Sequence, residues 1–317
     1  LVKVISTSRK SAVLSPSRLA CLAQTPTVNL TRGCAHGCVY CYARGYSGYP
    51  GDGTVVVYAD TLEKLRRELS RKRRRPAAVY FSPSCDAFQP VPEVLELAYR
   101  AFELLLREGI GVAILTKGAM PEEHLALLAR HAPLVRVQVG ITTLDRETAG
   151  CLEPRAAAPE TRLAQMRRLL AAGVETQARL DPIIPGVTDD EASIDALCAG
   201  LARVGVRQVA AGMLFLRPAI LHALQRELRG NSLLDRILAP FAAGEQLEIQ
   251  SEGSRVTALP AAARETAYGR IRAIAGRYAI SVRVCACKNP DIARGSCRIA
   301  GRWDTPPARE LQPGLFK

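Results

Sequence analysis

Aromatic side chains are scarce in this chain, 5% of its 317 residues with a single Trp. That scarcity sets aside an extended base-stacking surface for single-stranded nucleic acid. Long apolar runs are missing as well; none approaches the ~18–20 residues that a membrane-spanning helix needs. Basic residues near the start (Lys3, Arg9, Lys10, Arg18) are not followed by the apolar stretch of a signal peptide, and no Met opens the sequence. The expectation is a cytoplasmic protein with no membrane contact. No fixed-period repeat is visible, and low complexity is confined to Arg71–Arg75 and to Ala-rich patches.

Acidic residues are in deficit, 30 against 43 basic ones, for a net charge of +13. The excess points to an anionic partner, DNA or RNA among them. The Arg- and Ala-rich usage of a GC-rich genome accounts for it as well. What is present otherwise is the composition of a globular protein, 48% hydrophobic and 23% charged. The length fits one α/β barrel with an appendage, or two modest domains.

Short Val-, Ile- and Leu-rich segments predict strands at Thr27–Leu30, Ala78–Ser82, Val112–Thr116, Val135–Gly140, Glu175–Asp181 and Gln208–Leu214. Helices are predicted between them, over Thr61–Arg74, Pro92–Glu108, Pro121–His131, Pro159–Ala172 and Asp189–Val204. Asp60 is the expected N-cap of the first. Six βα units in a row imply parallel strands, in an open barrel or a doubly wound sheet. The expected fold is α/β, a partial (βα)6 TIM-type barrel over residues 27–217. Residues 1–26 form an N-terminal extension, polar and irregular. Residues 218–317 form a C-terminal region with two helices (Ala219–Leu228, Ala261–Ala275), a strand-like Ile280–Val284 and a tail from Gly301 that wraps the surface.

Ten cysteines without a secretion signal argue for metal or redox work rather than a disulfide framework. Three lie close together as Cys34, Cys38 and Cys41, with C-x3-C-x2-C spacing. Three thiolates on one tight loop can hold three irons of a cubane cluster and leave the fourth open to a small molecule. Zinc normally takes four ligands in paired C-x2-C halves, which this loop lacks. Gly33 and Gly37 give the loop its backbone freedom, and Tyr40 stands where a ring can shield cluster or adenine.

The run Asn29-Leu30-Thr31-Arg32-Gly33-Cys34, with His36-Gly37-Cys38 and Tyr40-Cys41-Tyr42-Ala43-Arg44, resembles the radical S-adenosylmethionine (SAM) superfamily. Asp86-Ala87-Phe88-Gln89-Pro90, Leu115-Thr116-Lys117, Leu152-Glu153-Pro154 and Pro182-Ile183-Ile184-Pro185-Gly186 make it most similar to the spore photoproduct lyase-like group, also called DNA repair photolyase-like. The likeness covers roughly residues 28–218. It implies a [4Fe–4S] cluster on Cys34, Cys38 and Cys41, SAM on the open iron, and a 5′-deoxyadenosyl radical that abstracts hydrogen from a substrate. It also implies a reductant such as flavodoxin or ferredoxin.

In an α/β barrel the strands' C-terminal ends line the pocket. Candidates there are Ser82, Ser84, Cys85 and Asp86, then Thr116 and Lys117, Thr142, Thr143 and Glu153, and Arg179 and Asp181. By the resemblance, Ser84 or Asp86 meets the amino group of the methionine moiety. Arg179 and Asp181 are placed to meet its carboxylate or ribose. The competing role for each is an ordinary cap or solvated residue. Cys85 is a candidate hydrogen-atom donor, as a cysteine is in spore photoproduct lyase, and Cys151 is the alternative; Cys21 and Cys198 are expected to pack.

A second trio, Cys285, Cys287 and Cys297, has C-x-C-x9-C spacing. An auxiliary iron–sulfur cluster, zinc and no metal are the alternatives. Cys85, Cys151, Cys21 or substrate is the candidate for a fourth ligand. Spore photoproduct lyase has no second cluster, so the trio departs from that pattern. The run Arg71–Arg75 either completes a helix C-terminus, where cations are favoured, or touches phosphates. Three functions stay open: a radical enzyme on a nucleic-acid lesion or nucleotide, one on a peptide or small molecule with an auxiliary cluster, and a non-catalytic iron–sulfur nucleic-acid-binding protein.

Overall fold

Alternating short apolar segments and amphipathic stretches fold as repeated βα units. The computed structural model describes residues 2–17, 19–249, 254–294, 297, 301 and 303. The chain begins with β1 (Lys3–Thr7), β2 (Thr27–Val28), β3 (Thr31–Arg32), β4 (Thr54–Tyr58) and α1 (Thr61–Arg71). Then come β5 (Ala78–Phe81), α2 (Pro92–Arg107), β6 (Gly111–Thr116), α3 (Glu122–Arg130) and β7 (Val135–Gly140). The next elements are α4 (Arg146–Leu152), α5 (Pro159–Ala171), β8 (Glu175–Ile183), α6 (Glu191–Arg203) and β9 (Gln208–Met213). The last are α7 (Pro218–Glu227), α8 (Ser232–Leu238), β10 (Glu245–Ile249), β11 (Ser254–Ala258), α9 (Ala261–Arg277) and β12 (Ser281–Val284).

A seven-stranded parallel sheet runs in the order β12-β9-β8-β7-β6-β5-β2. The six predicted strands are all in it. Period-2 alternation separates its faces. Val79, Phe81, Val112 and Ile114 pack outward with Ala98, Phe102 and Leu105 of α2. Tyr80, Ala113 and Ala210 point the other way and cluster with Leu22 and the second cysteine trio. Two Ala on the inner face leave room there that larger side chains would fill. Outside, the Phe81 and Phe102 rings meet edge-on at 4.7 Å; burying each stabilises the fold by about 1.5–3 kcal/mol.

Several expectations need correction. The N-terminal extension is not irregular throughout: β1 pairs in parallel with β4, which pairs antiparallel with β3. The β4 run Val55-Val56-Val57 is β-branched, as a strand prefers, yet no strand was expected there. Asp60 precedes α1 but makes no side-chain cap, because its carboxylate accepts from the Arg9 backbone N–H at 3.0 and 3.1 Å. The first helix ends at Arg71 rather than Arg74; Pro76 follows, and the residue before a proline is pushed to extended backbone. The basic run therefore stands at the N-terminal end of β5, opposite the end that carries Cys85 and Asp86. The C-terminal region is more than an appendage, since β12 joins the main sheet beside β9. Trp303 does not lie on an outer surface: its ring fills the space over Gly111, where a Cβ would meet it at 2.2 Å, and Arg136 stacks on it at 4.7 Å. The rest of the expected tail, residues 302 and 304–317, lies outside the described residues.

Candidate active site

The first cysteine loop leaves β3 through Gly33, at φ +76°, and turns again at Gly37, at φ +66°. A Cβ at Gly33 would meet the Thr54 carbonyl oxygen at 2.2 Å, so the loop lies tight on β4. Buried Gln89 braces it: its Oε1 accepts from Ala35 N at 2.8 Å, and its Nε2 donates to Thr31 Oγ1 at 3.1 Å. From the far side, Val39 N donates to Leu152 O at 3.0 Å and Arg155 N to His36 O at 3.1 Å. The Asp-Ala-Phe-Gln-Pro and Leu-Glu-Pro runs thus act as clamps on the cysteine loop.

Asp86 joins three segments. Its carboxylate accepts from Phe88 N at 2.8 Å, Thr116 Oγ1 at 2.7 Å and Lys117 N at 2.8 Å, and lies 3.5 Å from His36 Nδ1. Burial pushes the His36 imidazole below its ordinary value, so the ring is neutral near pH 7. Its Nε2 is buried with no partner among the described residues. Glu153 is fully enclosed, paired with Arg162 and accepting from Tyr40 Oη. Burial pushes its carboxyl up, but Arg162 and Lys117 outweigh that and hold it below the ordinary value.

Cys34, Cys38 and Cys41 line a cavity of about 290 Å³ at the C-terminal ends of the sheet strands. Burial in its wall pushes all three thiols up, Cys38 to about 12. They are neutral without a metal and lose their protons only to one. The donor set fits a [4Fe–4S] group: three thiols from one braced loop on one cavity, with an unpartnered buried imidazole nitrogen beside them.

The same cavity reaches Tyr40, Ser84, Cys85, Asp86, Thr116, Lys117, Arg179 and Asp181 among the predicted residues. Cys85 is half-buried, its Sγ 3.7 Å from Asn29 Oδ1, and burial pushes its thiol up. Ser82 beside it has φ +58°, strained for a residue with a Cβ. Thr142 and Glu153 sit behind the loop instead, 3.5 Å apart. Thr143 caps the turn to Asp145 N at 3.0 Å. Cys151 is not brought to the cavity; it lies on α4, 3.9 Å from Asn231 Nδ2. Arg179 pairs with Asp181 at 2.8 Å and reaches Cys297 Sγ at 3.8 Å, on the side of the second trio.

That second group lines the cavity too, through Cys285, Cys287 and Cys297, and Cys21 stands with them. Cys21 and Cys287 sulfurs are 3.5 Å apart. Sequence reasoning gave Cys21 a packing role and noted it only as one of four candidates for a missing ligand. It also set His36 aside and did not single out Tyr42, Phe215, Arg217 or Lys288, all of which line the cavity. Lys288, next to Cys287, was the one with a local signal.

A family model for the radical SAM superfamily matches residues 28–197. The chain belongs to that superfamily and is an enzyme of it. An uncharacterized protein of Mycobacterium tuberculosis is 32% identical over 217 residues, 66% of this chain and 64% of that one. This chain thus matches a little under two thirds of that relative's length. A radical SAM Nα-GlyT isomerase of Pseudomonas phage M6 is 31% identical over 178 residues, 56% of this chain and 36% of that one. In fold, the chain is similar to a spore photoproduct lyase variant, with a TM-score of 0.70 at 16% identity over 89% of this chain and 81% of that one. No described helix is long and apolar enough to cross a membrane.

Proposed function

We propose that Cys34, Cys38 and Cys41 hold a [4Fe–4S] cluster and that SAM binds beside it in the cavity. The bound cluster, charged by a reductant such as flavodoxin or ferredoxin, supplies the electron that splits SAM into methionine and a 5′-deoxyadenosyl radical, which takes hydrogen from the substrate. The observation that carries this is the convergence of the three thiols on one cavity, on a loop braced by Gln89 and the Leu152–Arg155 segment. The chain's residues then position and protect. Both Asp86 oxygens already serve the loop and β6, so of the Ser84–Asp86 pair Ser84 is the one left to meet the methionine moiety. Lys117 and Tyr40, 5.6 Å apart, wall the cofactor side. The neutral Cys85 thiol is the hydrogen donor to the substrate radical, ending as a thiyl radical.

The substrate is a base or nucleotide of nucleic acid. The cavity is small enough that one flat group fits beside the cofactor. Tyr42 and Tyr46 meet edge-on at its wall, 5.9 Å between centroids, and Tyr42 is exposed; a base has a face to stack on such rings. The spore photoproduct lyase of similar fold is known with a dinucleoside spore photoproduct bound, and the excess of positive charge agrees. A peptide or small molecule is the second reading, favoured by the second cysteine group on the same cavity. To decide, 5′-deoxyadenosine release is measured with UV-irradiated DNA, intact DNA and a peptide pool. Stimulation by DNA that nuclease abolishes is expected. Stimulation by peptide alone would move the assignment to the second reading.

A further inference from the structure

Two features of the cavity are not used by radical generation: a second set of cysteines, and an excess of cation beside it. Cys285 extends β12 by one rung, its N–H donating to Ala211 O at 3.0 Å. The turn that follows is locked. Asn289, fully buried, donates from Nδ2 to Cys285 O at 3.0 Å and accepts from Arg264 Nη1 at 2.9 Å. Arg264 is itself buried and pairs with Asp291. This is a built loop, holding Cys285 and Cys287 at fixed positions. Cys297 is buried against the same cluster. Cys21 arrives from the other end of the chain, on the short turn Ala20–Leu22, to 3.5 Å from Cys287.

The charge count asks for an anion. Arg179 is buried and Lys288 is three-quarters buried, and both pair with the single carboxylate of Asp181. Two cations against one carboxylate leave one buried positive charge, which is costly unless something negative lies beside it. Four neutral thiols do not supply that. Four thiolates on a metal centre do.

We propose that Cys21, Cys285, Cys287 and Cys297 together hold a second iron–sulfur cluster, a [4Fe–4S] centre with all four irons ligated by the protein. The C-x-C spacing departs from the C-x2–4-C halves of structural zinc sites, and zinc has no redox chemistry to offer a radical cavity. Full ligation has a consequence: no iron is open, so this centre binds neither SAM nor substrate. It exchanges single electrons across the cavity and ties the N-terminal extension to β12. It does not rest on the radical assignment of the first loop.

The test uses the full chain with Cys34→Ala, Cys38→Ala and Cys41→Ala, reconstituted anaerobically, with iron, sulfide and zinc counted. About four irons and four sulfides per chain should remain, against about eight irons in the unaltered chain. After dithionite, the remaining paramagnetic signal should be unchanged by SAM, because no iron is open. Adding Cys21→Ala should remove most of the iron, whereas Cys198→Ala should not. Should the triple variant fail to fold, the unaltered chain decides, by a count of about eight irons of which SAM perturbs only one cluster's signal. A count of four in the unaltered chain, zinc in place of iron, a signal that SAM alters in the triple variant, or full retention after Cys21→Ala would each overturn the proposal. Release of 5′-deoxyadenosine by the unaltered chain reports on the first loop alone, so failure here is distinct from failure there.

Discussion

At Gly33 the backbone has φ +76° and the Thr54 carbonyl oxygen lies where a Cβ would be. Gly33→Ala combines a strained conformation with a backbone clash, and should cost about 1–3 kcal/mol in denaturant unfolding. It should also lower the iron held by the first loop, since the loop must move off β4. Cys85 makes a chemical prediction. Its thiol exchanges with solvent, so turnover in D2O should place deuterium in the product. Cys85→Ala should keep the iron of the first loop and SAM cleavage but lose that deuterium; an unchanged label would remove Cys85 as donor. At this scale the sequence was most legible where chemistry is local. The C-x3-C-x2-C loop could be read because its ligands sit within eight positions. Cys21 could not be joined to Cys287 by spacing, because only the folded sheet brings chain positions so far apart together. Glu153 was legible as important but not as a clamp, since its partner Arg162 lies on the next helix.

Helix α3 packs on α2 through His124, whose Nε2 donates to Leu95 O at 3.0 Å among the rings of Phe88, Tyr99 and Phe102. Burial lowers its pKa, against the opposing pull of the Leu95 carbonyl, Glu123 and Glu96. The folded chain therefore refuses a proton that the unfolded chain accepts near its ordinary value of about 6.5. The contribution is intact above that value and is lost as pH falls through and below it. His124→Phe should flatten the stability profile across that window, as measured by urea unfolding at pH 5 to 8; a profile unchanged in slope would contradict this. In α5, Arg162 binds Gly140 O at 2.9 Å and Ala157 O at 2.8 Å besides Glu153. Arg162→Met strands a buried carboxylate and should cost about 3–5 kcal/mol. Helices and strands were legible from periodicity, with ends off by a few residues. The N-cap expected of Asp60 failed because a distant N–H, from Arg9, competes for the same oxygens.

Over the whole molecule, the sheet faces inward with small and polar residues at one end and both cysteine groups around one cavity. The six-unit core was legible as alternating elements. The seventh strand was not, because β12 pairs with β9 only after a long excursion through α7, α8, the β10–β11 hairpin and α9. The basic run illustrates the same limit: its charge was plain, but its place at the far end of β5 comes from the fold. Replacing Arg73 and Arg74 with Gln should therefore leave 5′-deoxyadenosine release within about twofold, as transition-state contacts at the cavity are untouched.

The most direct measurement is anaerobic single turnover of the reconstituted chain with dithionite and SAM, following 5′-deoxyadenosine by mass. The unaltered protein should release it, and the chain with Cys34→Ala, Cys38→Ala and Cys41→Ala should release none. Absence of 5′-deoxyadenosine from an unaltered chain that carries iron on the first loop would contradict the account.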